Sequence, residues 1–369
     1  MRMVKSMMIA EEEQTLIFKQ GIAHPDYFLW DAWSCQHRGL LHLYCLALPR
    51  RTEKGEVINP DQRNQYRFHV RHFISQDDGI SWKDHGVFQQ PAMANDRHDS
   101  SNVWSGSVFV DAQDQLWVGY TGIEQPSSDR PFVQNMALAK AHSFDSLEPA
   151  RRFFLSSVVA NYNEIRAAGY FLDAPQRLGY VKGECGGSIL AWRDPFLFAS
   201  GGKNYMAFAA KASAVQPAMG LASWDPSQPD KGIELLPPVV FPDDHSFTQL
   251  EVPKIYALKE RRQFLLLCAT TDRISEDQPG DEVNMQIRLY LSEHISGPWR
   301  PAGTTTSVLG NCDHLFGATV LTINEQSGTI TLMAPYTTAP NDHRDLTFAP
   351  RFSVSLEEMG RVAQVHAVR

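Results

Sequence analysis

The sequence of 369 residues has little cysteine, no basic block and no long apolar run. Its five cysteines are odd in number and widely spaced, with no Cys-x-x-Cys pair and no zinc-binding spacing. They are Cys35, Cys45, Cys185, Cys268 and Cys312. This distribution excludes a disulfide framework and predicts reduced, mostly buried thiols in a cytoplasmic protein.

The charge distribution excludes two classes of partner. The formal net charge is −8, and the basic residues form no cluster, so neither nucleic acid nor a membrane surface is expected as a partner. The first residues, "MRMVKSMMIAEEEQ", reach three glutamates before any long apolar stretch. This pattern predicts no secretory signal, and no stretch approaches the ~18 apolar residues of a membrane span.

What the sequence does contain is a series of short apolar runs rich in β-branched and aromatic residues. Most of these runs are interrupted by a turn, at 112–115, 199–204, 258–263 and 324–328. A run, a turn and a second run indicate a β-hairpin. Five such hairpins start near residues 40, 107, 196, 252 and 318. Their return at intervals favours an all-β fold, a β-propeller of five four-stranded blades.

The rest of the chain fits one propeller domain. A single segment, 159–172, reads as a helix between blades, and no linker divides the chain. We therefore predict a single catalytic domain over 1–369, with 1–20 as an extension or a closing strand. The stretch "SQDDGISW", 75–82, fits the Asp-box turn, in which an aspartate bonds backbone amides and a tryptophan packs beneath. This turn supports a propeller and has a structural role.

Three acidic residues stand out because of their surroundings. Asp31 lies among aromatic residues in "FLWDAW", and burial of an unpaired carboxylate there would cost several kcal/mol. Asp194 follows Arg193 and precedes a proline in "AWRDPFLF". Glu251 begins an otherwise apolar strand in "TQLEVPKIY". Acids that start the inner strands of three blades converge at the central channel, where they suit glycoside chemistry.

A fourth motif is "NVWSGSVFV", 102–110. Trp104 could form a wall against a sugar ring, and Ser105 could bond a hydroxyl or Asp31. Taken together and in order, the "WDAW", "WSGS" and "RDP" motifs and the later glutamate resemble the levansucrase/inulosucrase family, over about residues 26–340. That family consists of five-bladed propellers acting on sucrose and related fructosides, in a clan shared with invertases and fructanases.

The resemblance implies a role for each matching residue. Asp31 would be the nucleophile, Asp194 the transition-state stabiliser and Glu251 the general acid/base. The remaining positions would contact the sugar substrate: Trp30, Trp104, Ser105, Arg193, Gln249, Arg273 and His314. Arg193 and hydroxyl donors would hold Asp31 ionised, and no metal or cofactor is required.

The sequence also departs from the family pattern. Gln249 and Val252 replace a glutamate and an arginine of the acid/base motif, and "LEVP" is closer to the Glu-x-Pro form of the invertase branch. Where levansucrases carry a tyrosine in the fifth blade, this chain has Cys312, Asp313 and His314. These differences lie where the family binds the leaving group and the acceptor.

The leading hypothesis is a retaining β-fructofuranosidase or fructosyltransferase that acts through a covalent fructosyl-enzyme on a small-molecule fructoside. One alternative is an arabinofuranosidase or xylosidase on the related fold, and another is a propeller that binds sugar without turnover. A sialidase would need an arginine cluster and a tyrosine nucleophile, which the sequence does not assemble.

Overall fold

The computed structural model describes residues 16–93, 97–124, 132–178, 191–274, 278–303, 306–312, 314–337, 345–356 and 366–367. Cys185 and Asp313 lie outside these ranges. The described chain forms five antiparallel sheets in sequence order, which are the five blades of a propeller. The innermost strands of blades 5 and 1, 1 and 2, 2 and 3, and 3 and 4 contact each other around the centre. The predicted all-β, five-bladed propeller is therefore confirmed.

The strands are given blade by blade, in chain order. Blade 1 contains β1 Ile17–Lys19, β2 Tyr27–His37, β3 Leu40–Pro49, β4 His69–Ser75 and β5 Ser81–Gln89, and blade 2 contains β6 Asn102–Val110, β7 Leu116–Ile123, β8 Gln134–Ala141 and β9 Arg151–Ser157. Blade 3 contains β10 Arg193–Ser200, β11 Lys203–Lys211, β12 Pro217–Trp224 and β13 Glu234–Leu235. Blade 4 contains β14 Gln249–Leu258, β15 Gln263–Thr271, β16 Met285–Ser292 and β17 Arg300–Pro301, and blade 5 contains β18 Thr319–Asn324, β19 Thr329–Met333, β20 Phe352–Ser355 and β21 His366–Ala367.

The predicted hairpins of blades 2 to 5 are observed at β6–β7, β10–β11, β14–β15 and β18–β19. The first predicted hairpin started one strand too late, because β2 already pairs with β3. β2 carries the polar residues Asp31, Ser34 and Gln36, which weaken its strand pattern. In blade 1, β1 adds a fifth strand by pairing with β5.

The helix between blades 2 and 3 is shorter than the predicted 159–172. It is α1, Tyr162–Ala167, and it is followed by Gly169 with a φ of +95°. A left-handed glycine is a common helix terminator. Tyr170 and Leu172 continue as non-helical chain and pack into the core between the two blades. Short 3-10 helices span Pro60–Gln65, Pro175–Arg177, Pro229–Lys231, Asp244–Ser246 and Gly280–Glu282.

The core is divided among the interfaces between blades. Five clusters of buried apolar side chains lie between blades 1 and 2, 2 and 3, 3 and 4, 4 and 5, and 5 and 1. The last of these closes the ring, together with the antiparallel bridge of Ile22 with Phe348. Burial of these faces provides the main favourable term for a sheet-on-sheet fold.

The Asp-box turn of blade 1 has the predicted geometry. The hydroxyl of Ser75 and the backbone N–H of Ser81 each donate a hydrogen bond of 2.8 Å to Asp77 Oδ1. Gly79 is left-handed at φ +84°, and Trp82 is fully buried. The turn closes the β4–β5 hairpin. In the part of the chain that is described, no helix has both the length and the apolarity of a membrane span.

Candidate active site

The innermost strand of every blade contains an irregularity in its pairing with the next strand. The pairing register with the second strand shifts between Trp30 and Ala32, Trp104 and Gly106, Arg193 and Phe196, Glu251 and Lys254, and Val320 and Thr322. Such bulges bend a strand and redirect a side chain. The skipped positions include Asp31, Ser105 and Asp194, so the bulges involve residues that the sequence motifs had singled out.

Asp31 is held in place by its own backbone and by blade 2. Its φ is +40°, a conformation that aspartate tolerates better than most residues. Ser105 Oγ donates a hydrogen bond of 2.7 Å to Asp31 Oδ2, as the sequence had suggested. On the other side, Gly317 has a φ of +61°, and a Cβ added there would lie 3.0 Å from Asp31 Oδ1. A larger residue at 317 would therefore crowd the carboxylate, which is half-buried.

Asp194 is buried on β10, the innermost strand of blade 3. Its φ is +62°, and its backbone N–H donates a hydrogen bond of 2.8 Å to Thr121 Oγ1 in blade 2. Its Oδ2 accepts a hydrogen bond of 3.1 Å from the backbone N–H of Val252 in blade 4. Neighbouring blades thus fix both the backbone and the carboxylate of Asp194.

Arg193 links two of the predicted acids. Its Nε lies 3.8 Å from Asp194 Oδ2, and its Nη2 lies 3.8 Å from Glu251 Oε1. These separations favour both carboxylates electrostatically but exceed hydrogen-bond length. Glu251 is 24% exposed, whereas Asp194 is 6% exposed. The structure therefore brings Glu251 and Asp194 together around one guanidinium, with Glu251 on the open side.

Burial controls the protonation of Asp194. Removal from water raises the pKa of Asp194 to about 6. The Arg193 guanidinium opposes this rise, and the charge of Asp31 adds to it. Hydrogen bonds also link the two acids, because Thr121 Oγ1, which accepts from the N–H of Asp194, donates a bond of 3.2 Å to the carbonyl of Ser105, whose hydroxyl bonds Asp31. All three predicted acids, from blades 1, 3 and 4, therefore share one site.

Lys254 is a buried cation that the sequence reasoning missed. It is 2% exposed, and its Nζ donates a hydrogen bond of 3.0 Å to the carbonyl of Val252. Burial lowers the pKa of Lys254 to about 8, while the charges of Asp31 and Asp194 favour its protonated form. At neutral pH the lysine therefore places a positive charge beside these two acids. The visible signal was a lysine inside an apolar strand, three residues after Glu251.

The two predicted tryptophans differ in exposure. Trp104 is half-buried, and its ring centroid lies 5.5 Å from that of Phe132. Trp30 is 8% exposed, and its ring packs edge-on against Phe68 at 5.0 Å. Trp104 thus leaves more of its surface available for a ligand than Trp30 does.

The remaining predicted contacts lie farther along blades 4 and 5. Gln249 is 1% exposed, and its Nε2 lies 3.5 Å from the carbonyl oxygen of Arg273. Arg273 Nη1 donates a hydrogen bond of 2.7 Å to the carbonyl of Gln278. The side chain of His314 is exposed, and its carbonyl accepts a hydrogen bond of 3.0 Å from Thr337. The hydrogen bonds described here for these residues are made to groups other than the three acids.

Gln249 nevertheless has unused hydrogen-bonding capacity. Within the described ranges, its buried Oε1 and the buried Oγ1 of its strand partner Thr271 have no hydrogen-bond partner. A buried polar atom without a partner costs free energy. A sugar hydroxyl or a water molecule would satisfy both atoms.

Comparison with solved structures gives the same fold at low sequence identity. A variant of B. megaterium levansucrase aligns with a TM-score of 0.62 and 15% identity, over 92% of this chain and 87% of that chain. Bacillus subtilis levansucrase aligns with 0.62 and 14%, over 91% and 86%. An inulosucrase from Halalkalicoccus jeotgali, bound to kestose, aligns with 0.62 and 16%, over 92% and 88%. No curated protein sequence matches the chain.

A family comparison matches residues 57–280, more than half of the chain, to the domain described as "Glycosyl hydrolases family 32 N-terminal domain". Asp194 and Glu251 lie inside this range, whereas Asp31 precedes it. The match agrees with the structural likeness to levansucrases and an inulosucrase, and it confirms the resemblance stated from the motifs. The chain belongs to glycosyl hydrolase family 32 and is a glycoside hydrolase built on a five-bladed propeller.

Proposed function

We propose that the protein is a retaining glycoside hydrolase or transglycosylase that acts on β-fructofuranosides through a covalent fructosyl-enzyme. The observation that carries this proposal is the convergence of Asp31, Asp194 and Glu251, from three blades, around Arg193 and Lys254. Retaining glycosidases use one carboxylate as nucleophile and one carboxylic acid as proton donor. The inulosucrase with the same fold binds kestose, and this supports a related carbohydrate substrate here.

Asp31 has the features of a nucleophile. The hydrogen bond from Ser105 fixes one carboxylate oxygen, and Gly317 leaves room beside the other. The fixed oxygen restrains the side chain, so that the free Oδ1 can attack the anomeric carbon in a defined direction. Asp31 in turn is one of the two acids whose charge favours the protonated form of the buried Lys254.

Glu251 has the features of the general acid/base. It is the more exposed of the two acids beside Arg193, so a leaving group and then a water or sugar hydroxyl can reach it. In the first step it would donate a proton to the leaving oxygen as Asp31 forms the bond to the sugar. In the second step it would remove a proton from the acceptor, which releases the fructosyl group.

Asp194 would bind the hydroxyls of the fructosyl ring. Its carboxylate accepts one backbone hydrogen bond, and Arg193 stands 3.8 Å away. Oxygen lone pairs therefore remain for two sugar hydroxyls. Such bonds strengthen as positive charge develops on the ring, and they supply several kcal/mol in the transition state of glycosidases.

The proposal is tested by product analysis. Purified protein is incubated with sucrose, a fructooligosaccharide panel, and arabinofuranosyl and xylosyl nitrophenyl glycosides, and the products are resolved by chromatography and NMR. We expect fructose or new fructosides with retained configuration. Pentose release without fructose release would assign the arabinofuranosidase or xylosidase alternative instead, and binding without any product would assign a sugar-binding propeller.

Two variants separate the roles of the acids. Asp31→Asn should lower turnover about 10⁴-fold or more, as removal of a nucleophile does. Glu251→Gln should cost about 10²–10⁴-fold with sucrose but much less with a fructosyl fluoride, whose leaving group needs no proton. Asp114→Asn is the matched control, since Asp114 is exposed and also has a positive φ of +60°. Near-normal turnover in both acid variants would refute the assignment.

A further inference from the structure

A cluster of histidines lies far from the three acids, at the other end of blade 1. It borders a cavity of about 640 Å³ between blades 1 and 2, whose lining includes His42, His85 and Asp145. The cavity also contacts His37, at the end of β2. Asp31 and His37 are six positions apart on this extended strand, or about 20 Å. The cavity is therefore separate from the candidate active site.

Three side chains in this cluster have potential metal-ligand atoms close together. They are His72 on β4, His85 on β5 and Asp145 in the segment after β8, and their ligand atoms all lie within 4.8 Å of one another. Asp145 Oδ1 is 3.5 Å from His85 Nδ1 and 3.8 Å from His72 Nδ1. Ligands 2.0–2.2 Å from a tetrahedral Zn²⁺ are about 3.4 Å apart. Small side-chain movements would complete this geometry.

His72 provides the second observation. Its side chain is fully buried, and within the described ranges its Nδ1 has no hydrogen-bond partner. Its other nitrogen, Nε2, lies 3.0 Å from His42 Nδ1 and shares a hydrogen bond with it. The ring also stacks on Tyr44 at 4.5 Å. Packing explains why the ring is buried, but it leaves Nδ1 facing a carboxylate without a bond.

The chemistry of the cluster suits a cation. Metal ligation requires neutral imidazoles and an ionised carboxylate. The bond to His42 fixes the orientation of the His72 ring, as outer partners of metal-binding histidines commonly do.

We propose that His72, His85 and Asp145 form a site for a divalent transition metal ion, with Zn²⁺ the best fit to two imidazoles and one carboxylate. His42 positions His72, and a solvent molecule takes the fourth place, because Asp145 is 62% and His85 28% exposed. Asp145 belongs to blade 2, whereas both histidines belong to blade 1. The bound ion joins the two blades.

The test is titration of the full-length, untagged protein with Zn²⁺ alone, followed by calorimetry and elemental analysis. We expect one Zn²⁺ per chain and a higher melting temperature, since an ion that binds only the folded state stabilises it. Co²⁺ alone should give the visible absorption bands of tetrahedral coordination. His85→Gln and Asp145→Asn should each weaken binding at least about tenfold and abolish the melting shift.

Matched controls distinguish this site from general binding to surface residues. Asp114→Asn alters another acid that lines the same cavity, and His294→Gln alters an exposed histidine in blade 4. Both controls should bind Zn²⁺ as the wild type does. The proposal is overturned if no saturable binding occurs, if the two ligand variants bind normally, or if the controls lose affinity equally. Because both ligand variants change partly exposed side chains, they should fold normally.

Discussion

Two buried aspartates next to arginines behave in opposite ways in this molecule. Asp84 in blade 1 is 7% exposed and accepts hydrogen bonds from Arg71, with Nη2 at 2.6 Å and Nε at 3.0 Å. His24 Nε2 lies 3.0 Å from the same carboxylate. Burial alone would raise the pKa of Asp84, but these bonds outweigh it and lower the pKa to about 2.

The side chain of Asp194 in blade 3 has a similar exposure of 6%, but its arginine stands 3.8 Å away and its pKa is raised to about 6. The difference lies in how many of the lone pairs of each carboxylate are already used. Asp84 is satisfied by the protein and contributes to the fold, whereas Asp194 keeps capacity that a ligand can use. The number of hydrogen bonds that each carboxylate accepts, together with the deeper burial of Asp194, distinguishes the candidate catalytic acid from Asp84.

The largest expected effect on stability comes from Asp84. Asp84→Asn removes the charge that Arg71 and His24 face, and breaking a buried pair in this way costs about 3–5 kcal/mol. Denaturant unfolding should show this loss in the free energy of unfolding, while turnover per folded molecule stays near wild type. A stable variant with impaired turnover would contradict the structural role given to Asp84.

Asp194→Asn should show the reverse pattern. Because the amide carries no charge to balance the developing cation on the sugar, kcat should fall about 10²–10³-fold. The free energy of unfolding at pH 7 should stay equal or increase, since a costly buried charge is removed. Steady-state kinetics and unfolding curves on the same preparation provide the check. A variant that is active but much less stable would show that Asp194, like Asp84, contributes to the fold and not to catalysis.

The pH dependence of stability should differ in sign between the two sites. The folded-state pKa of Asp194 is raised from 3.8 to about 6, so its contribution to stability is complete below pH 3.8 and is lost as the pH rises through about 6. Asp84 contributes stability above pH 3.8 and loses it as the pH falls through about 2.

The difference in unfolding free energy between wild type and Asp194→Asn therefore isolates the Asp194 contribution. It should change by at most about 3 kcal/mol between pH 4 and pH 7, with the wild type losing relative stability as the pH rises. Unfolding measured at half-unit pH steps tests this prediction. A flat difference would mean that the folded protein does not shift the pKa of Asp194.

The smallest expected effect concerns the buried lysines. Lys254→Met removes a cation that opposes the raised pKa of Asp194, so the acid limb of the pH–activity profile should move to higher pH. We expect about a fivefold loss of kcat at pH 6, which corresponds to about one pH unit of displacement when the pKa starts near 6. Lys211→Met is the matched control, because Lys211 is also 2% exposed and donates to a backbone carbonyl, that of Ala214 at 3.1 Å.

Lys211→Met should not move the pH–activity profile, even if it lowers the free energy of unfolding. Equal loss of activity in both lysine variants, without movement of the acid limb, would show that Lys254 acts only through packing.

The sequence predicted those parts of the protein that are encoded locally. Turn residues and alternating apolar runs indicated the hairpins, and short motifs indicated Asp31, Asp194 and Glu251. Lys254 was missed because lysine is rarely buried, and the acids that stabilise its charge come from other blades. His72 and Asp145 were missed for a related reason, since their proximity depends on the packing of blade 2 against blade 1. Long-range contacts of this kind leave no short sequence signal.

The bulges in the five central strands have a consequence for evolution. Each bulge is confined to one or two residues, and regular pairing resumes directly after it. At the bulges that contain Asp31, Ser105 and Asp194, which are polar residues outside the apolar clusters, the side chain can therefore change without repacking the interfaces between blades. Mutation can alter chemistry one blade at a time, and a library randomised at Ser105 would sample new substrate preferences while the ring itself is inherited intact.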